Sequence, residues 1–346
     1  MPLSIHGTNG ITFNDGSTQN TRPAVGFRNR IINGNMRIDQ RNAGAAVTPT
    51  GNQYTLDRWF GQLSQASKYS IQRNAGSVTP PAGYSNYLGV TCLSGYAITA
   101  SDFFAVGQAI EGYGFSDLAF GGASAKQITI SFWVMSNLTG TFGGVVKNSA
   151  TDRSYPFSYT ISSSNTWEQK NVTINGDISG TWVTDNGVGA YVLFGLGVGS
   201  TYSGTAGSWS ASNFVSATGA TNVLATTSNT FYITGVQLEA GSTATDFERR
   251  PYGTELALCQ RYCYVLSSEF IGVSTNANVV GGAFYMPVTM RASPTFANGS
   301  FSASSGSAGA FGVINITTRS AQIYNTSNNW TLGANILATA TASAEL

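Results

Sequence analysis

The groups able to do chemistry are few: one histidine, three cysteines and sixteen acids. His6 falls in a stretch that reads as an extended arm. A Ser-His-Asp or Cys-His apparatus needs its imidazole held between further partners, which an arm does not supply, so His6 reads as incidental or as packing. Zinc sites of the His and Cys type use closely spaced ligand pairs, a spacing that Cys92, Cys259, Cys263 and His6 do not offer. On a helix, Cys259 and Cys263 would lie about 6 Å apart with parallel Cβ directions, a geometry that favours no disulfide. Three reduced thiols fit a chain made and assembled in a cytosol. Glycoside hydrolysis asks for two carboxyl groups about 5–9.5 Å apart. Asp102, Glu111, Asp117, Asp177 and Asp185 are available, the last two beside Asn-Gly turn signals. Sequence spacing brings no two of them together, and the reading is of a protein that is not an enzyme.

These side chains sit in a chain of unusual composition. Only 10% of the 346 residues are charged, 41 are glycine, and 17 basic side chains face 16 acidic ones. An ordinary domain is about 25% charged and about 7% glycine. The near-zero net charge excludes nucleic acid and anionic membrane surfaces as partners. The 42% apolar content and the 19 Phe, 16 Tyr and 6 Trp exclude a disordered chain. The opening MPLSIHGTNG lacks the basic and apolar regions of a signal peptide. The longest apolar run, 188–198, is broken by Gly189, Gly195 and Gly197 and falls far short of the ~20 residues of a spanning helix. Membrane insertion is therefore not expected.

The elements that must position any site are mostly strands. Residues 1–25 are polar and glycine-rich, with a short strand at Ile11–Phe13 entering an Asp15-Gly16 turn. This arm cannot bury enough apolar area to fold alone, so it is expected to order against a neighbour. Residues 26–250 read as β throughout. Ile128, Ile130, Phe132 and Val134 share one face at a period of two, whereas Tyr191–Phe194 and Phe231–Leu238 are apolar on both faces. Many strands with turn signals and no fixed repeat indicate a sandwich or barrel. A connecting helix is expected over 251–266, with Thr254 as its N-cap, Glu255 in its first turn, and Leu256, Cys259, Cys263 and Leu266 on one face. Residues 267–346 form a second, smaller β domain, with strands expected at 279–290, 309–317 and 321–324. Its core is thin, which calls for support from oligomerisation. The fold class is thus mainly β: a jelly-roll-like β-sandwich, a short N-terminal β arm, one connecting α-helix and a small C-terminal β domain.

Several stretches carry a resemblance. Phe27-Arg28-Asn29-Arg30-Ile31-Ile32-Asn33-Gly34-Asn35-Met36-Arg37-Ile38-Asp39-Gln40-Arg41 and Tyr54-Thr55-Leu56-Asp57-Arg58-Trp59-Phe60 resemble the opening of a domain found in tail fibre and receptor-binding proteins of tailed bacteriophages. Residues 231–241 (FYITGVQLEAG) and 244–253 (ATDFERRPYG) resemble its close, and 255–262 (ELALCQRY) the helix that follows. Residues 288–295 (VTMRASPT) are similar to the start of their C-terminal β module, and 10–17 (GITFNDGS) to short strands near fibre attachment regions. The middle region also resembles jelly-roll carbohydrate-binding modules. Some of those hold a structural calcium; here Asn35 stands where an acid is often found, so no metal is assigned, and Asp57, Glu239 and Asp246 are the ligands left to such a site. No cofactor is implied.

The resemblance implies a virion protein, assembled in the bacterial host cytoplasm: a homotrimeric tail fibre that joins other virion tail proteins through residues 1–25 and binds a host surface glycan with its distal end, 267–346. The alternatives are a structural head, collar or tail component without ligand, and a glycan depolymerase. Neutral, Ser/Thr/Asn/Gly-rich loops on a rigid scaffold suit hydrogen bonding to sugars. Trp182, Tyr202, Trp209, Tyr324 and Trp330 fall in or beside such loops, and each either packs or stacks on a sugar ring. Trp59 and Trp133 are assigned to packing.

Overall fold

The computed structural model describes residues 4–6, 10–12, 18–19, 27–273, 280–297, 301–303, 312–325 and 335–346. The chain is mainly β, and its centre is a jelly-roll sandwich of two antiparallel sheets. The six-stranded sheet runs in the order Ser154–Ile161, Gly140–Lys147, Val188–Val198, Phe103–Glu111, Phe60–Leu63, Gln53–Tyr54. The five-stranded sheet runs Glu168–Ile174, Ile128–Ser136, Thr230–Ala240, Leu88–Cys92, Tyr69–Arg73.

Alternation along each strand builds the core. Ile128, Ile130, Phe132 and Val134 are fully buried between the sheets, as their period of two requires. They meet Phe104, Val106, Val192 and Phe194 of the facing sheet; the Phe132 and Phe194 rings pack edge to face at 5.0 Å. Trp59 is completely buried and donates its indole N–H to the Asn33 carbonyl.

The opening and closing stretches of the sandwich are one structure. Asn29 donates to the Val236 carbonyl and accepts from the Leu238 amide, and the Val236 amide donates to the Gly34 carbonyl. The Glu248 carboxylate accepts the amides of Phe27, Arg28 and Asn29. A Cβ on Gly34 would lie 2.1 Å from the Val236 carbonyl oxygen, so only glycine permits this approach. The bulge between Thr234 and Gln237 turns on Gly235 at φ +62°, where a Cβ would strike the Tyr84 ring.

The helix spans Tyr252–Gln260, shorter than the expected 251–266, with Pro251 rather than Thr254 at its N-cap. Cys263 already opens the strand Cys263–Val273, because pairing with Asn335–Ser343 outcompetes continued helix. Cys259 and Cys263 are nevertheless both buried, and all three thiols are free. Glu255 is buried as well, where it accepts the Asn33 amide at 2.5 Å and faces Arg250. Among the described residues no helix is long and apolar enough to cross a membrane.

In the C-terminal region, Cys263–Val273, Thr295–Ala297 and Phe301–Ala303 all pair with Asn335–Ser343, a strand the sequence reading did not contain. A second sheet joins Val280–Tyr285, Ser320–Asn325 and Gly312–Ile314. Among the described residues the core here is built from Leu266, Phe284, Met286, Met290 and a few alanines. The arm is a three-stranded sheet of Ser4–His6, Gly10–Thr12 and Thr18–Gln19; its Asp15-Gly16 turn lies outside the described residues.

Charged groups fasten the C-terminal segment to the sandwich. Glu345 pairs with Arg58 and, at 2.9 Å, with Arg41. The Arg58 guanidinium lies 3.6 Å from the Tyr262 ring centroid and donates to the Ala109 carbonyl. Arg261 and the Tyr262 hydroxyl both donate to Glu111. The Tyr54 hydroxyl donates to the Leu346 carbonyl at 2.9 Å.

Candidate functional site

The six-stranded sheet has a second apolar face, turned away from the sandwich core. Its strands send Phe104, Val106, Val192 and Phe194 inward, so Phe103, Ala105, Ala109, Tyr191 and Leu193 point outward. Phe60 and Tyr54 join them from the edge strands. Gly107 stands opposite both Phe60 and Leu193 in the ladder, flanked by Ala105 and Ala109. These small residues on the intervening strand leave room for Phe60 to reach Tyr191 above it. The rings form a chain: Tyr54 to Phe60 at 5.4 Å, and Phe60 to Tyr191 at 6.3 Å, both edge to face.

Beside this aromatic row lies a groove of about 250 Å³, walled by Asn52, Gln53, Tyr54, Phe60, Gln62, Lys147, Thr151, Tyr191 and Leu346. Lys147 stands opposite Tyr191 across neighbouring strands, which puts both side chains on one face. Its ammonium is 5.8 Å from the Tyr191 ring centroid and donates to Asn213 Oδ1 at 2.9 Å. Gln62 Oε1 is buried in the groove wall without a hydrogen-bond partner. Burial raises the hydroxyl pKa values of Tyr54 and Tyr191, keeping both phenols neutral through the physiological range. The walls therefore carry three aromatic rings, neutral amides and one cation, and none of their side chains is a carboxylate.

Of the residues singled out from sequence, Trp182, Tyr202 and Trp209 do not line the groove. Trp182 and Trp209 come together, 5.5 Å apart, in a cluster with Phe115, Phe120 and Tyr155. Trp182 is 7% exposed and stacks on Phe115; Trp209 is half-buried and donates its indole N–H to the Asn175 carbonyl. Tyr202 packs edge to face against Phe103 at 5.1 Å, at the margin of the outer face. Tyr324 belongs to the strand Ser320–Asn325, and Trp330 lies outside the described residues.

Each acid considered for hydrolysis has its own partners. Asp102 accepts from Ser64, Tyr96 and Thr99. Glu111 is held by Arg261 and Tyr262, and Asp117 by Arg30. Asp177 forms a bidentate pair with Arg153, and Asp185 accepts the Gly187 amide. Of the three acids left to a calcium site, the carboxylates of Asp57 and Glu239 are also engaged by protein. Asp57 accepts the amide and side chain of Gln40, while Glu239 accepts from Gln237 and Thr245. The Asp246 carbonyl, rather than its carboxylate, accepts from Arg28 and Gln237. Among the described residues no three His, Cys, Asp or Glu side chains gather as a metal cluster.

No protein-family model and no curated protein matches the chain. Solved structures with related arrangements include the enzymatically active domain of tailspike protein 4 of bacteriophage CBA120, at 11% identity over 62% of this chain and 22% of that one, TM-score 0.35. The chain thus corresponds to about a fifth of that domain's length. A Bacteroides thetaiotaomicron protein whose structure is titled "a putative sugar binding protein" matches at 13% identity over 62% of this chain and all of that one, TM-score 0.35. A family 4 carbohydrate-binding module matches at 17% identity over 60% of this chain and 98% of that one, TM-score 0.30.

Proposed function

We propose that this chain is a glycan-binding virion protein of a tailed bacteriophage, and that it takes the sugar in the groove on the outer face of its six-stranded sheet. One observation carries the site: a row of aromatic rings beside a buried, unpartnered acceptor, Gln62 Oε1. A buried amide oxygen left without a donor costs about 1–3 kcal/mol. Turning the Gln62 amide into the groove that it lines would let a sugar hydroxyl donate to Oε1 and remove that cost, while the axial C–H face of the pyranose covers an aromatic surface. With no Asp or Glu side chain in the walls, the groove holds no acid pair for glycoside hydrolysis, which favours binding over cleavage. The virion role rests on the tail-fibre resemblance of residues 27–41, 231–253 and 255–262.

In this reading the chain is a homotrimer, its N-terminal arm joins the virion, and the sandwich presents the groove. This differs from a sugar site at the distal tip, because the groove belongs to the sandwich. The test is a glycan array probed with the whole chain, followed by titration calorimetry on Tyr191→Leu and Gln62→Ala. Each is expected to weaken binding about tenfold or more, which is ~1.4 kcal/mol, with unchanged melting. Wild-type affinity in both variants would remove the groove from the proposal.

A further inference from the structure

The cation in the groove wall is unusual. Lys147 is 3% exposed, and lysine is almost never fully buried without a charged partner. Its one hydrogen bond goes to a neutral amide, Asn213 Oδ1, and among the described residues no carboxylate pairs with it. Every other side chain in the wall is neutral through the physiological range, Tyr54 and Tyr191 included, and the Leu346 carbonyl is held by the Tyr54 hydroxyl. Arg58, 5.9 Å from the Tyr54 ring centroid, is paired with Glu345, which also holds Arg41. An ammonium has three donors, so two remain for an occupant of the groove.

We infer that the sugar bound in this groove is acidic, and that the Lys147 ammonium receives its carboxylate while the Tyr54–Phe60–Tyr191 rings and Gln62 hold the ring and its hydroxyls. The inference rests on the groove being the glycan site and names the class of glycan. A neutral sugar would leave the ammonium desolvated and unpaired, the costly arrangement for a buried charge. A uronic-acid residue in a bacterial surface polysaccharide supplies the missing anion on the same pyranose scaffold that meets the rings. Burial with no neighbouring anion to offset it pushes the Lys147 pKa down to about 8. A bound carboxylate would hold the ammonium charged and raise that pKa again.

The sign of the pH dependence follows. The charged form dominates the free groove below about 8 and binds the acidic sugar fully there. Above that pH the free amine accumulates, and affinity for the acidic sugar falls up to tenfold per unit. Affinity for a neutral sugar stays flat across the same range.

The experiment uses the whole chain and three oligosaccharides of matched length: one containing uronic acid, its carboxyl-reduced neutral form, and one bearing phosphate in place of carboxylate. Calorimetry is run at pH 6, 7, 8 and 9 on the parent, Lys147→Met and Lys147→Arg. The expected result is preference for the uronic form by at least tenfold, loss of that preference in Lys147→Met, its partial return in Lys147→Arg, and a decline above pH 8 for the uronic form alone. Thermal melting is expected to hold or rise in Lys147→Met, since an unpaired buried charge is removed. Equal binding of the uronic and reduced forms would overturn the acidic-sugar assignment while leaving the groove as a glycan site. Preference for the phosphate form would overturn the carboxylate assignment. If none of the three binds, and the array gives no other sugar, the groove reading itself falls.

Discussion

Removing the negative charge of Glu345 should loosen the C-terminal domain from the sandwich. Arg58 is 1% exposed and its partner Glu345 6% exposed, so the pair is dry. Burial alone works against the guanidinium, yet Glu345, then Tyr54 and Tyr262, more than reverse it and hold the Arg58 pKa above its ordinary value. Glu345→Gln keeps the size and one acceptor oxygen but leaves Arg58 without a counterion, and Arg41 with it. Breaking one side of a buried pair costs about 3–5 kcal/mol. The Tyr262 face at 3.6 Å and the Ala109 carbonyl remain to hold Arg58, and a desolvated cation–π contact is worth about 2 kcal/mol. The lower end is therefore expected, about 3 kcal/mol, or roughly 6–12 °C in melting at the ~2–4 °C per kcal/mol of a 150–250-residue domain. Calorimetric melting of the whole chain measures it. The double variant Arg58→Met with Glu345→Leu should recover most of the loss, because an apolar pair of similar volume carries no desolvation penalty. A loss below about 0.5 kcal/mol for Glu345→Gln, the scale of an exposed pair, would refute the claim that this junction is dry.

Three further outcomes are expected. Burial opposes the Asp102 charge, but bonds from Thr99, Ser64 and Tyr96 outweigh it and lower the pKa; its stabilisation is complete above the unfolded value of ~3.9 and is lost as pH falls through the lower folded value. Asp102→Asn should therefore destabilise at pH 7 and converge on the parent near pH 2 in denaturant titrations; a pH-independent difference would contradict this. Trp182→Ala should cost about 3–5 kcal/mol in melting while leaving glycan binding intact, and lost binding with unchanged melting would return Trp182 to a ligand role. Deleting residues 2–25 should give a folded protein absent from purified virions, and normal incorporation would place attachment elsewhere.

Much of the fold was legible because strands betray themselves by alternation. Ile128 to Val134 and 231–238 gave their faces and their central positions from side-chain type alone. What escaped was set by distant pairing. Asn335–Ser343 reads Asn-Ile-Leu-Ala-Thr-Ala-Thr-Ala-Ser, rich in alanine and without aromatics, so its β character comes from the strands on its two sides. The same pairing ended the helix at Gln260, where i, i+4 cysteines had favoured continuation. Cys259 and Cys263 are buried either way, so burial could not separate the two readings.

The groove was harder to read because its walls come from residues 52–62, 147–151, 191 and 346, which only the strand order makes neighbours. Aromatics in glycine-rich loops drew attention, but Trp182 and Trp209 found one another and packed. A large ring in a loop covers whatever apolar surface lies beneath it, whereas a ring on a strand has its direction fixed by the pleat. Tyr191 was hidden by sitting in a run that is apolar on both faces. Lys147 did carry a signal: a single lysine closing the apolar strand Gly143-Gly144-Val145-Val146. At a strand position that alternation assigns to a covered face, a lysine must either find an acid or meet something from outside. The covering segment offers it Asn213 and no acid, so an anionic occupant is the partner this charge lacks.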